Sequence, residues 1–127
     1  MKICEKDGTI VNIDDLYKDV IETSFGFSIS SIWDDLKYNH SSLSYKERIE
    51  NFLFILNRAM ESGILRLADD GNFLEGSIDE QVKKFRESFP EKEEYICEYI
   101  FGIDVYENIW IPGGAVWITA KEKEIWT

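Results

Sequence analysis

A chain of 127 residues is the size of one domain, and 44% hydrophobic with 14% aromatic residues supply enough apolar surface for a core. Twenty-five acids against fourteen bases leave a net charge of −11, a field that repels nucleic-acid backbones and anionic membranes and attracts basic proteins. No run approaches the roughly 18 apolar residues of a membrane span. Glu5 and Asp7 stand where a signal peptide needs its apolar stretch, so the expectation is a cytoplasmic single domain, 1–127, with Cys4 and Cys97 reduced.

The first helix is expected from about Asn12 to Thr23, because Ile13, Leu16, Tyr17, Val20 and Ile21 recur at helical spacing. Asp14, Asp15, Asp19 and Glu22 take its other side, and Gly26 ends it. A short helix follows from Ser31, with Ile32, Trp33 and Leu36 on its apolar face and Asp34 and Asp35 in the first turn, beside the exposed N–H groups. Ser44 and Glu47 then make a capping box for the clearest helix, about 45–62, which is apolar nearly all round at Phe52–Leu56. Such a helix is central to a fold or shared with a second subunit; the central role is expected.

Alternation at Ile64, Leu65 and Leu67, with Asp70-Gly71 and then Phe73 and Leu74, predicts a β-hairpin over 64–75. A second capping box, Ser77 to Glu80, opens a helix carrying Ile78, Val82, Phe85 and Phe89, and Pro90 discourages its continuation. Residues 91–105 fit a helical face at Tyr95, Ile96, Tyr99 and Ile100, yet "IDVYENIWI" alternates as a strand does, so the secondary structure there stays open. Strands at "AVWITA" and "EIWT" complete the chain. Trp117 and Trp126 are expected in the core, while Trp110, before "PGG" at a strand end, fits either burial or partial exposure. The fold class is α+β: four or five helices around the 45–62 helix, with a small, mostly antiparallel sheet from the hairpin (64–75) and C-terminal strands (106–126).

Bond-making chemistry finds no support. His40 is the single histidine, in a polar stretch without a G-x-S-x-G elbow nearby. Two cysteines and one histidine lack zinc spacing, and "DDGNFLE" lacks the alternating oxygens of a calcium loop, so neither a metal nor a cofactor is expected. Neither phosphate-binding glycine motif occurs. The doublets Asp14/Asp15, Asp34/Asp35, Asp69/Asp70 and Glu93/Glu94 are adjacent in sequence and do not face one another as a catalytic dyad must, so they read as solvated surface.

The stretch 91–110 differs in kind. Six acids (Glu91, Glu93, Glu94, Glu98, Asp104, Glu107) face one base, Lys92, and Tyr95, Tyr99, Phe101, Tyr106 and Trp110 interleave them. Acids steer a basic protein from a distance and rings anchor it at contact. The other reading is an ordinary amphipathic segment whose rings pack inward. With Asp34 and Asp35 from the second acidic group, the candidate partner-binding set is Asp34, Asp35, Glu91, Glu93, Glu94, Glu98, Tyr99, Asp104, Tyr106, Glu107 and Trp110.

The order "ILRLADDGNFLEGSIDEQVKKFRESFP", then "WIPGGAVWI" and a terminal "EIWT", resembles a bacterial family catalogued as domain of unknown function 596, over roughly Ile49 to Thr127. The pattern also resembles the small acidic immunity proteins that accompany toxins of contact-dependent growth inhibition systems. That second resemblance implies binding rather than turnover. The implied partner is a basic toxin domain, a nuclease whose substrate groove the acidic face covers, with no direct nucleic-acid or membrane contact. The chain would be a monomer in that complex; the competing expectation is a generic interaction or homodimerisation domain using the helix around Phe52–Leu56.

Overall fold

The computed structural model describes residues 2–4 and 10–127. Glu5 and Asp7, on which the signal-peptide argument turned, lie outside the described residues, as does the side chain of Cys4; Cys97 is a free thiol. The elements in order are β1 (Lys2–Cys4), β2 (Ile10–Asn12), α1 (Ile13–Ser24), α2 (Ser30–Asn39), α3 (Tyr45–Glu61), β3 (Leu65–Asp69), β4 (Asn72–Phe73), α4 (Ile78–Ser88), a 3-10 turn (Glu93–Tyr95), β5 (Gly114–Ile118) and β6 (Glu124–Trp126). Four α-helices and a four-stranded antiparallel sheet of order β4-β3-β5-β6 make an α+β fold. β1 and β2 form a separate antiparallel pair that was not expected from the sequence. Among the described residues, no helix is long and apolar enough to cross a membrane.

Local chemistry sets the helix starts. The Asn12 side chain accepts from Asp14 N at 2.8 Å, which opens α1. Both capping boxes form: Glu47 N donates to Ser44 Oγ and Ser44 N to Glu47 at the start of α3, and Ser77 and Glu80 do the same for α4. α3 is the hub, with Phe52, Leu53, Ile55, Leu56 and Ala59 buried and contacts to α2, α4 and β3. Those side chains are therefore used up inside the chain, and only Phe54 of that stretch is half-exposed.

At the hairpin, Asp70 and Gly71 both take positive φ (51° and 78°), the backbone a two-residue turn between right-twisted strands requires. One face of the sheet presents Leu65, Leu67, Ala115 and Trp117 to the core. Trp117 is fully buried, stacks near Phe25 (5.1 Å between centroids) and donates its indole N–H to Phe27 O at 2.7 Å, tying the turn after α1 to the sheet.

Three expectations are corrected. Trp126 is 47% exposed: in register with Val116 and Arg66, it lies on the outer face of the sheet and packs against Phe73. Asp34 and Asp35 are not in the first turn of α2, because the helix begins at Ser30. The C-terminal strands begin at Gly114 rather than 106, since the alternation in "IDVYENIWI" yields two isolated bridges, Ile96–Asp104 and Ile103–Ile109, within a looped segment.

Candidate functional site: an acidic, ring-bearing segment beside a cleft

The segment that follows Pro90 is pinned from below and free above. Tyr45, in the first turn of α3, donates its hydroxyl to Pro90 O at 2.7 Å. One turn on, buried Arg48 ion-pairs with Glu93, donates weakly to Leu43 O (3.4 Å) and lies over the Trp33 ring at 5.2 Å. Desolvation, then the nearby Glu93 charge, pushes the Tyr45 phenol up to about 12, with Arg48 opposing. Glu93 is thus a structural ion-pair partner rather than a free surface charge.

Beyond it the chain makes two small loops joined back to back. Cys97 N donates to Ile103 O (2.9 Å) and closes the first, whose tip holds Tyr99 and Ile100. The second, 104–108, is organised by the Asp104 carboxylate, which accepts from Tyr106 N (2.8 Å) and Asn108 N (2.9 Å). The Asn108 N–H is the chief reason the Asp104 carboxyl lies below its ordinary value, so this acid too serves the fold. Gly102 joins the loops at φ 103°, receiving Trp110 N on its carbonyl (2.9 Å). A Cβ there would sit 2.7 Å from Ile111 Cγ2, so any other residue would strain the backbone and push Ile111 aside.

The rings divide into two sets. Phe101 and Trp110 point inward: Phe101 stacks on Trp33 (5.4 Å, 25° between planes) and meets Trp110 edge-on at 5.0 Å, and Trp110 lies 4.8 Å from Phe89. Tyr99 and Tyr106 point outward, 89% and 73% exposed. Tyr95 is half-buried between them, 6.5 Å from the Tyr106 ring. Ile100, Val105 and Ile109 join the outward set, and Ile109 is 77% exposed. Trp110 therefore belongs with the interior, as a half-buried ring whose indole N–H finds no acceptor among the described residues.

A cleft of about 550 Å³ opens between α2 and this segment. Ile29, Trp33, Ile96 and Phe101 form its inner wall; Asp34, Glu94, Glu98 and Tyr99 stand exposed around it, with Lys37 the single cation of the lining. Desolvation raises the Asp34 carboxyl above its ordinary value, and Lys37 partly opposes the shift. The structure thus brings together Asp34, Glu93, Glu94, Glu98 and Tyr99. Tyr106 and Glu107 are exposed on the neighbouring loop, Glu91 is exposed outside the cleft, and Asp35 is buried, accepting from Asn39 on the other side of α2. Asp35 is unavailable to a partner. Sequence reading missed Ile100 because it fitted a helical face, and Val105 and Ile109 because strand alternation hid them. The signal was Asp104 followed by Asn108, side chains that favour turns over ladders.

The family model described as a protein of unknown function, DUF596, matches residues 60–127, more than half of the chain. The match begins at Met60, later than the Ile49 expected from the sequence. Among solved structures, a protein from Neisseria meningitidis, described as uncharacterized and conserved in bacteria, is 25% identical. Its TM-score is 0.69, and the alignment covers 90% of this chain and 88% of that one. No curated protein matches. By the extent of the family match, this chain belongs to the DUF596 family.

Proposed function

We propose that this chain is an immunity protein, which binds a basic toxin domain in the cytoplasm and blocks it without turning anything over. The observation that carries the reading is the outward set on 98–109. Tyr99 and Tyr106 stand almost free of the fold next to Glu98 and Glu107, on loops whose internal hydrogen bonds already fix their shape. Exposed rings on a pre-shaped backbone lose little entropy on contact and make strong anchors, while unpaired acids supply the steering field. A net charge of −11 fits a partner whose own groove is positive, as a nuclease groove must be to hold phosphates.

An interface of ordinary size, about 800 Å² from each side, is within reach of a domain this small. Opposite fields raise association rates and make them fall as salt rises. For the homodimer reading, Phe52, Leu53, Ile55 and Leu56 are interior, and of that stretch only the half-exposed Phe54 is left to offer a partner.

The test is protection. Co-expression should restore growth to cells expressing the cognate basic toxin domain, sought first in the gene immediately upstream, and Tyr99→Ala with Tyr106→Ala should abolish the rescue at unchanged protein level. Undiminished rescue by that double variant, or no rescue by the wild-type chain, contradicts the proposal.

A further inference from the structure

The cleft beside the exposed loops has a composition of its own. Its inner wall is apolar and aromatic, and Glu94 and Glu98 form no ion pair among the described residues. An anionic or nucleotide occupant would meet Asp34, Glu94 and Glu98 against Lys37 alone, Glu93 being neutralised by Arg48. A bare metal ion fits no better, since among the described residues no three acidic, histidine or cysteine side chains converge as metal ligands. The remaining chemistry is an organic cation large enough to touch the apolar wall and the rim acids together.

We propose that the cleft between α2 and residues 93–101 receives an arginine side chain of the partner. This rests on the docking role proposed above and names what the docked surface grips. A guanidinium is planar and weakly hydrated, so it tolerates the wall of Ile96 and Phe101, stacks on a ring such as Tyr99 and forks onto a carboxylate such as Glu98 or Asp34. An ammonium is a compact, strongly hydrated charge and gains less from such a wall. The fold already holds one guanidinium in this way: Arg48 lies over the Trp33 ring and pairs with Glu93, both residues that also line the cleft. A volume near 550 Å³ falls within the range of sites that enclose small groups, about 300–1,000 Å³.

The experiment is a titration of the full, isotope-labelled chain with N-acetyl-arginine methylamide, followed by amide chemical shifts. Matched titrations use the citrulline analogue, which is neutral and nearly isosteric, and the lysine analogue. The expected result is saturable shifts confined to α2 and residues 94–101 with arginine, none with citrulline, weaker binding by lysine, and loss of saturation in Asp34→Asn/Glu98→Gln. Absence of saturable shifts, equal response to citrulline, or lysine binding as tight as arginine overturns the arginine slot. Those failures leave toxin protection by the wild-type chain intact. Failed protection with a responsive cleft removes the immunity role instead, so the two outcomes are told apart.

Discussion

Two sets of aromatic rings in this molecule have opposite fates, although Phe101 of one stands a few residues from Tyr99 and Tyr106 of the other. Trp33, Phe52, Phe89 and Phe101 close on one another at 5.3–6.3 Å beneath the segment that follows Pro90. Tyr99 and Tyr106, on the same segment, touch almost nothing below them. The difference teaches that a ring's neighbours in sequence do not decide its burial; the turn that carries it does. Gly102 and Asp104 fold the chain so that Phe101 points down while the rings on either side stand out.

That contrast can be broken from the packed side. Phe52→Ala removes a fully buried ring touching Phe85, Phe89, Phe101 and Trp33, and should cost about 3–5 kcal/mol in urea unfolding. Gly102→Ala attacks the joint between the two sets. Its positive φ and the clash with Ile111 should cost about 1–3 kcal/mol and speed hydrogen exchange at the Cys97 and Trp110 amides. A cost below about 0.5 kcal/mol would show that the loops do not depend on this geometry.

Adjacent acids sharpen the comparison further. Glu93→Gln, which deprives buried Arg48 of its charge partner, should destabilise by about 1–2 kcal/mol, the half-exposed carboxylate limiting the loss. Glu94→Gln should leave stability unchanged within about 0.5 kcal/mol, because Glu94 is exposed and forms no ion pair among the described residues. Equal effects in thermal unfolding would contradict the division of labour between them.

The smallest effect is one of pH. The Tyr45 phenol is pushed up to about 12 in the folded chain from its ordinary 10.0 when unfolded, so its contribution is full below pH 10 and is lost as pH rises from about 10 towards 12. Melting temperatures measured across that window should fall more steeply for the wild-type chain than for Tyr45→Phe; parallel curves would contradict the coupling.

Much of the fold was legible because local signals agreed with the global arrangement. Both serine–glutamate boxes and the Asp70-Gly71 turn each had one reading, and each holds; the apolar centre of α3 had two, of which the expected central role is seen. Trp126 was misplaced because strand periodicity separates faces without saying which one is covered, and here Phe73 packs against it on the outer face. The site was half legible. Composition marked 91–110 as unusual, but Glu93 is bound by Arg48, a partner 45 residues away, and Asp35 by an Asn39 that nothing in the spacing distinguished from surface. The cleft was not legible, since it exists only where α2 meets a segment some sixty residues later in the chain.

The most direct measurement is the affinity of the proposed partner, a basic toxin domain, for the Tyr99→Ala/Tyr106→Ala chain, taken beside that variant's urea unfolding curve. The account predicts an unfolding free energy within about 0.5 kcal/mol of the wild-type value and affinity weakened by at least about 2 kcal/mol, roughly thirtyfold. Unweakened binding, or a loss of binding matched by an equal loss of folding stability, would contradict the claim that these outward rings are the working surface.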